Sequence, residues 1–241
     1  MKRLLDIIAS ACGLVLLSPV LGIVMFLIWR QDYHSPFYVA PRVGKNGKLF
    51  NMVKLRSMIV GAEKTGVDST SVSDARITPI GHFVREYKLD ELTQLWNVLK
   101  GDMSLVGPRP NVKRETDLYT EEERNLLSVK PGVTDFASIV FSDENDILKS
   151  CDDPDIGYNQ LIRPWKSRLG LLYVKHRNFF LDLKIIWLTA VALASRNRAL
   201  KGVNEILCEL AVPEDVIEAS KRTYELVPCP PPGSDRIVTC R

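Results

Sequence analysis

The longest apolar run, Leu4 to Trp29, holds one acid near its start, Asp6, and is long enough to cross a bilayer as a helix. Ser18 and Pro19 lie near its centre. A proline there removes an internal hydrogen bond and clashes with the preceding turn. The pattern leaves two readings open: a kinked spanning helix that the Ser18 hydroxyl helps to satisfy, or a helix that dips into the membrane and returns. Lys2 and Arg3 precede the run, and Arg30, Arg42, Lys45 and Lys48 follow it. Basic flanks prefer the cytoplasmic side, so both ends ask for the same side. A cleavable signal peptide fits poorly, because the run is too long and no small-x-small site follows it.

After the run, "RVGKNGKLF" carries Asn46 and Gly47, a dipeptide suited to a type I′ turn, and predicts a short β-hairpin continuing into "NMVKLRSM". Lys54 and Arg56, two apart, fall on one face of that strand, where two cations can hold a phosphate or simply line a solvated edge. Residues 59 to 75, rich in Gly, Ser, Thr and Asp, read as a loop. "TPIGHFVREY" begins a helix with Thr78 as cap and Pro79 at the first position, its apolar face made by Ile80, Phe83, Val84 and Tyr87. Leu92, Leu95, Trp96 and Leu99 repeat that spacing.

Asp90 and Glu91 fall between these two amphipathic segments, at a predicted helix N-terminus. Acids there interact favourably with the helix dipole. They are also a candidate reacting pair, since adjacent helical residues point about 100° apart and can take different tasks. "GDMSLVGPRP" follows, with prolines on both sides of Arg109 restricting the backbone that presents its guanidinium, a group suited to phosphate.

Further on, "NQLIRPWKSRLGLLYVKHRNFFLDLKIIWLTAVALASRNR" mixes Trp165, Tyr173 and Trp187 with Lys, Arg and apolar residues, as in helices lying at a membrane surface or in amphipathic core helices. Asp182 and Lys184 weaken the case for a second span. "PEDVIEASKRTYEL" predicts one more helix, and "PCPPPGSDRIVTCR" a loose tail.

Composition changes this picture little. With 241 residues, 46% hydrophobic and 25% charged, the chain has the make-up of one sizeable globular domain with appendages. The net charge of +3 is unevenly laid out, with the basic excess in the first 64 residues. Five cysteines at 12, 151, 208, 229 and 240 form no C-x-x-C and support neither a disulfide framework nor a zinc site. His34, His82 and His176 are scattered singly. There is no repeat, no Gly-rich nucleotide loop and no nucleic-acid motif.

"KR" before an apolar segment broken by Ser-Pro, "KNGKLFNMVKLRSM", "ARITPIGHFVRE", "LDELTQLWNVLKGDMSLVGPRP" and "KPGVT" occur here in the order seen in bacterial sugar transferases. The chain resembles a monotopic phosphoglycosyltransferase from residue 2 to about 142, and again over 173 to 191. The resemblance implies an α+β, mostly helical membrane-embedded domain with a short β-hairpin. It also implies a re-entrant membrane helix over residues 1–30, with Lys2 and Arg3 at its start and its bend at Ser18 and Pro19. A catalytic domain with interfacial helices would cover 31–200, and C-terminal helices with the loose tail 201–241.

The implied activity is transfer of a sugar 1-phosphate from a UDP-sugar to polyprenyl (undecaprenyl) phosphate, with release of UMP, at the cytoplasmic face of the bacterial inner membrane. Such a reaction starts a surface glycan. By this resemblance Asp90 matches the nucleophile and Glu91 the partner of Mg²⁺, a hard cation that takes carboxylate and phosphate oxygens. Lys54, Arg56, Arg85 and Arg109 are the expected phosphate-binding cations. The partners implied are the UDP-sugar, the polyprenyl phosphate and the lipid bilayer, with no nucleic acid; a homodimer is left open.

Three positions depart from the family's pattern. Thr93 stands where proline is common. "PGVTDFASIVF" replaces a stretch with a glutamine and aromatics, which puts nucleotide or sugar contacts around Asp135 in question. Gly170 stands where an aspartate is usual. The rival expectation is a membrane-attached partner protein that kept the fold and lost catalysis.

Overall fold

A computed structural model describes residues 1–62, 74–149 and 151–239. The apolar run is one helix, α1 (Lys2–Asp32), with Pro19 inside it. The Val15 carbonyl, four residues before the proline that has no N–H to offer it, accepts from Ser18 Oγ at 2.7 Å. The helix therefore continues through the position expected to interrupt it, because a hydroxyl replaces the missing donor.

Strands β1 (Phe37–Val43) and β2 (Leu49–Leu55) pair antiparallel with Val39 opposite Val53. Asn46 and Gly47 both take positive φ, as their dipeptide predicts, but in a three-residue loop closed by the Gly44 N–H donating to Lys48 O at 2.8 Å. The loop expected at 59–75 lies largely outside the described residues, at 63–73. Helix α2 (Pro79–Glu86) starts as the sequence predicts, with Thr78 Oγ1 accepting from Gly81 N at 3.0 Å and Pro79 in the first turn.

The predicted apolar face of α2 divides. Val84 is buried against Leu21, Val24 and Ile28 of α1 and Leu55 of β2, whereas Phe83 and Tyr87 are exposed with ring centroids 4.9 Å apart. Helix α3 (Gln94–Lys100) likewise leaves Trp96 exposed and buries Gln94, Asn97 and Val98.

A second pair of strands, β3 (Ser104–Val106) and β4 (Gly132–Thr134), runs parallel. Between them lie the Pro108–Pro110 loop, α4 (Lys113–Asp117) and a 3₁₀ segment, Glu123–Ser128. Helices follow: α5 (Phe136–Val140), α6 (Glu144–Leu148), α7 (Pro154–Gly157), α8 (Arg163–His176), α9 (Phe179–Ala194), α10 (Arg196–Glu209) and α11 (Glu214–Lys221). Phe136, Leu169, Tyr173, Ile185, Val203 and Leu207 of these helices join Val106 in the main apolar core. Helix α9 buries Leu181, Ile185 and Leu188 there, while Phe180 and Trp187 are 75% and 69% exposed. The helix thus has a buried apolar face and an exposed one.

Charged side chains fasten α1 to this body. Lys2 Nζ donates to Asp182 Oδ2 at 2.8 Å, to the Val106 carbonyl at 3.0 Å and to Tyr173 Oη at 3.1 Å. Arg3 donates to the Val98 and Leu99 carbonyls at the end of α3, at 2.5 and 2.8 Å. Buried Asp6 accepts from Ser104 Oγ and the Leu105 N–H. At the far end Asp32 accepts two bonds from Arg56, at 2.5 and 2.7 Å.

The C-terminal segment expected to be a loose tail forms no helix or strand among its described residues, but it touches the body at several points. Pro231 and Pro232 are buried, and hydrogen bonds tie Cys229, Pro230, Pro232 and Val238 to Gln160, Arg168 and Thr120.

Strands β3 and β4 approach where neither chain carries a side chain. A Cβ on Gly132 would lie 2.1 Å from the Gly107 nitrogen, and one on Gly107 would lie 2.5 Å from the Lys130 carbonyl oxygen. Backbone cannot yield as a side-chain tip can. Gly132→Ala is expected to cost at least about 2 kcal/mol by forcing the strands apart. Chemical denaturation of the two forms would measure the loss.

Candidate active site

The acid pair lies not in the first turn of α3 but in a short 3₁₀ turn just ahead of it. Lys88 takes a left-handed conformation (φ 53°) at the end of α2, and Leu89–Glu91 forms a 3₁₀ turn ahead of α3. This turn is fastened to β2 from below. Asn97 Nδ2 donates to Asn51 O at 2.7 Å, its Oδ1 accepts from Val53 N at 2.9 Å, and Thr93 Oγ1 donates to Val53 O at 3.0 Å and to Asp90 O at 3.2 Å. Thr93, the departure from proline, therefore supplies a hydroxyl that links the acid turn to the strand. Neither link was visible as a site feature in the sequence; the polar Thr93 and Asn97 inside an amphipathic stretch were the available signal.

The two carboxylates keep different company. Glu91 is held bidentately by Arg109, whose Nη1 donates to Oε2 at 3.0 Å and whose Nη2 donates to Oε1. Arg109 Nη1 also donates to the Val133 carbonyl at 3.0 Å. Asp90, 14% exposed, has Lys54 Nζ at 3.4 Å from Oδ2, and the same ammonium lies 3.6 Å from Glu91 Oε1. Burial pushes the Glu91 carboxyl up, but the charges of Arg109 and Lys54 and the Arg109 hydrogen bonds outweigh it and bring it down to about 2. Burial opposes the charge on Arg109, and Glu91 overcomes that and raises it.

Of the four predicted cations, Lys54 and Arg109 reach the acid pair directly. Arg85 joins through its field: burial lowers it, and the nearby charges of Asp90 and Asp74 oppose that shift. Arg56 does not join. Strand β2 ends at Leu55, and beyond it Arg56 turns to Asp32 and to the Ser35 carbonyl, fixing the end of α1. Lys2, Arg3, Ser18 and Pro19 belong to the attachment and interior of α1, away from the carboxylates.

The Arg109 loop is set by its backbone. Gly107 N donates to Thr134 O at 3.0 Å, Gly132 N to Pro108 O at 2.9 Å, and Val43 N to Asn111 O at 2.9 Å. Asp135, one of the departures, caps α5: its Oδ1 accepts from Ser138 N at 2.7 Å and from Ser138 Oγ at 2.6 Å. Burial raises its carboxyl, with those bonds and Arg109 opposing. Gly170 sits against Leu126, whose Cδ2 would be 2.7 Å from an added Cβ, and faces Pro108. An apolar contact under the Arg109 loop stands where the family carries a carboxylate.

Mg²⁺ is usually held by one or two carboxylates plus substrate phosphate oxygens rather than by a full protein cage. The adjacent carboxylates of Asp90 and Glu91 fit that donor set, and each carboxylate oxygen has lone pairs beyond those Arg109 uses. No group of three or more His, Cys, Asp or Glu suited to a metal occurs among the described residues.

The architecture is α+β and mostly helical, with one helix among the described residues long and apolar enough to cross a membrane and a carboxylate pair set among cations. Comparison with known proteins gives the class a family. The model of "Bacterial sugar transferase" matches residues 1–196, and the chain belongs to that family. It is 34% identical over 214 residues to an undecaprenyl-phosphate galactose phosphotransferase of Salmonella typhimurium, covering 83% of this chain and 41% of the relative. It is 34% identical over 192 residues to a UDP-glucose:undecaprenyl-phosphate glucose-1-phosphate transferase of Klebsiella pneumoniae, covering 78% and 39%. A UDP-N-acetylgalactosamine-undecaprenyl-phosphate N-acetylgalactosaminephosphotransferase of Aeromonas hydrophila is 32% identical over 191 residues, covering 78% and 42%. The chain spans about two fifths of the length of these relatives.

Linkage follows from the Glu91 shift. Its folded value lies below the ordinary carboxylate value, so the ion pair contributes stability above about pH 4.3 that is lost as the pH falls towards 2. Arg109→Ala removes the main opposing charge and leaves the burial, so the Glu91 carboxyl is expected to titrate above its wild-type value. Carboxyl-detected NMR titration of the two proteins checks the direction.

Proposed function

We propose that this protein transfers a sugar 1-phosphate from a UDP-sugar to undecaprenyl phosphate, releasing UMP, through a covalent intermediate on Asp90. The observation that carries this reading is the unequal treatment of two neighbouring carboxylates. Glu91 is held by a fork of hydrogen bonds, while the ion-pair partner of Asp90 among the described residues is the single ammonium of Lys54.

In the first step an Asp90 carboxylate oxygen attacks the β-phosphorus, forming an acyl phosphate. The bond from that phosphorus to the bridging oxygen breaks, and the oxygen leaves with UMP. In the second step an oxygen of the lipid phosphate attacks the same phosphorus, giving the lipid diphosphate sugar and restoring the carboxylate. The division avoids bringing two anionic phosphates together in one displacement. Lys54 and Arg109 would steady the phosphate charge, and Arg85 adds a third positive charge beside two carboxylates. Mg²⁺ held by Glu91 and the diphosphate would supply further neutralisation of that charge.

The attachment of α1 supports a re-entrant placement at the cytoplasmic face. Both ends of α1, a helix of 31 residues, are fastened to the same body, at Lys2 and at Asp32. Between them Val15, Leu16, Ser18, Pro19 and Val20 are exposed. An exposed, largely apolar middle between two fastened ends suits a helix that enters the bilayer and returns, and the exposed face of α9 suits an interfacial position. The relatives named above act on three different sugars, so the donor is a question for a substrate screen.

Incubation with Mg²⁺ and each UDP-sugar, without lipid, is expected to release about one equivalent of UMP and add one sugar phosphate to the Asp90 peptide, as a stalled first half-reaction must. Asp90→Asn should abolish both, since an amide cannot form the acyl phosphate, and chelation of Mg²⁺ should suppress UMP release. Mass spectrometry showing no adduct with a donor that supports rapid lipid-dependent turnover would falsify the two-step route. For the topology, a cysteine placed at position 2 in a cysteine-free background should resist labelling from the periplasm.

A further inference from the structure

We propose that the C-terminal segment from Cys229 to Val238 is a strap that positions Arg109 for the transfer reaction, acting through Thr120, Tyr119 and Asn111. The proposal rests on the reading of Arg109 given above. The segment lies beyond residues 1–196, where the family match ends.

The strap crosses α8, the residues just before it and the loop ahead of the 3₁₀ segment. Cys229 N donates to Gln160 O at 3.1 Å, Gln160 Nε2 to Val238 O at 2.6 Å, and Arg168 Nη2 to Pro230 O at 3.1 Å. Its closest bond is the one Thr120 Oγ1 donates to Pro232 O, at 2.5 Å. Gly233, at φ 75°, lies flat on Thr120 and Glu122: an added Cβ would be 3.0 Å from Glu122 Cβ and 3.2 Å from Thr120 Oγ1.

Thr120 is half of a capping box. Its hydroxyl accepts from Glu123 N at 3.1 Å, and Glu123 Oε2 accepts from Thr120 N at 3.0 Å. Glu123 is fully buried in a pair with Arg163 and takes a further bond from Ser167 at 2.6 Å. The 3₁₀ segment that follows is short and has weaker internal bonding than an α-helix. The cap and the strap therefore do much to place Thr120 and its neighbour Tyr119.

Tyr119 connects this region to the site. Its Oη accepts from Asn111 Nδ2 at 2.8 Å, and Asn111 follows Pro110 directly after Arg109. Tyr119, Asn111, Pro108 and Arg109 line one narrow cleft. Apart from the bonds of the Arg109 side chain to Glu91 and Val133, the other bonds on the Arg109 loop named above are made with backbone groups of Val43 in β1 and of Gly132 and Thr134 in β4. Among them the Asn111–Tyr119 link is the side-chain connection leading out to the strap. A misplacement of about 1 Å at a reacting centre can cost about a hundredfold in rate, so a partial shift of the Arg109 loop should be visible in turnover.

The test uses the full-length protein with Gly233→Val, which disfavours the strap's own backbone conformation, alone and combined with Tyr119→Phe, which cuts the link. Activity is read as UMP release with undecaprenyl phosphate and whichever of UDP-glucose, UDP-galactose and UDP-N-acetylgalactosamine is turned over. Gly233→Val is expected to lower kcat about tenfold with KM changed less than about twofold. In the Tyr119→Phe background it should lower kcat by less than about twofold more, because coupled positions are not additive. Equal losses in both backgrounds, or an unchanged kcat, would overturn the proposal. Hydrogen exchange supplies an arm that needs no activity: amides from Arg109 to Thr120 should exchange faster in Gly233→Val, with those of α9 and α10 unchanged. Unchanged exchange at 109–120, or faster exchange throughout, would equally overturn it. If wild-type protein releases no UMP from any donor, the transferase reading fails, while the exchange data still decide whether the strap holds the loop.

Discussion

The two-pronged pairing of Arg109 with Glu91 is the contact on which the site depends, because it adds a charged and directed link to the backbone bond from Val43 to Asn111 and the apolar packing of Met52 with Leu105 and Val133 that already join these parts of the chain. Glu91 comes from a turn fastened to the β-hairpin through Thr93 and Asn97. Arg109 comes from the loop after β3, whose position is set by β4 and by the helices behind it. A partly buried carboxylate opposite a planar guanidinium gains both charge attraction and fixed direction. Removing either partner would leave a desolvated charge behind, which costs more than the loss of an exposed pair. The pair therefore fixes how the acid turn faces the Arg109 loop, with the bonds of Thr93 and Asn97 holding that turn on β2.

The same economy of charge governs α1. Its apolar face alone would let it slide along the body, since apolar contacts carry little directional information. Asp6 is buried and must have its hydrogen bonds satisfied, which Ser104 and Leu105 do at one place along the helix. Lys2 adds a second fixed point at the Val106 carbonyl, three residues before Arg109, and at buried Asp182. Charges that looked like simple flanks to an apolar run thus fix the register of α1 against the rest of the chain. Asp182, which interrupts the apolar pattern of α9, is the acid that receives Lys2.

Much of this was legible in the sequence where short-range chemistry decides it. Thr78 and Pro79 begin a helix, and Asn46 and Gly47 take positive φ. What could not be read was the partner of each charge. Lys54 and Arg56 share a strand face by spacing, yet one reaches the acids and the other closes on Asp32, because the strand ends between them. Nothing local announces where a strand ends or what waits beyond it. The run of prolines near the C-terminus also reads as a loose tail, since proline cannot build a ladder. Its backbone carbonyls nevertheless accept hydrogen bonds from side chains far away in sequence. Proline loses a donor and keeps its acceptor, and an unsupported carbonyl is visible only once the fold brings a donor to it.

The 3₁₀ geometry of the acid turn explains how neighbours in sequence come to have separate partners. With about three residues per turn, adjacent side chains diverge by about 120°, wider than in an α-helix. Glu91 can then face Arg109 while Asp90 faces the ammonium of Lys54 and the field of Arg85. The turn is bounded by strain on one side and by a tether on the other. Lys88 holds a left-handed backbone that costs a residue with a side chain about 1–2 kcal/mol, and Thr93 ties the Asp90 carbonyl and β2 together. Strain of this kind persists only where its surroundings over-determine it. Here the surroundings are β2 below and Arg109 across, so the conformation that separates the two carboxylates is maintained by the same pairing that one of them makes.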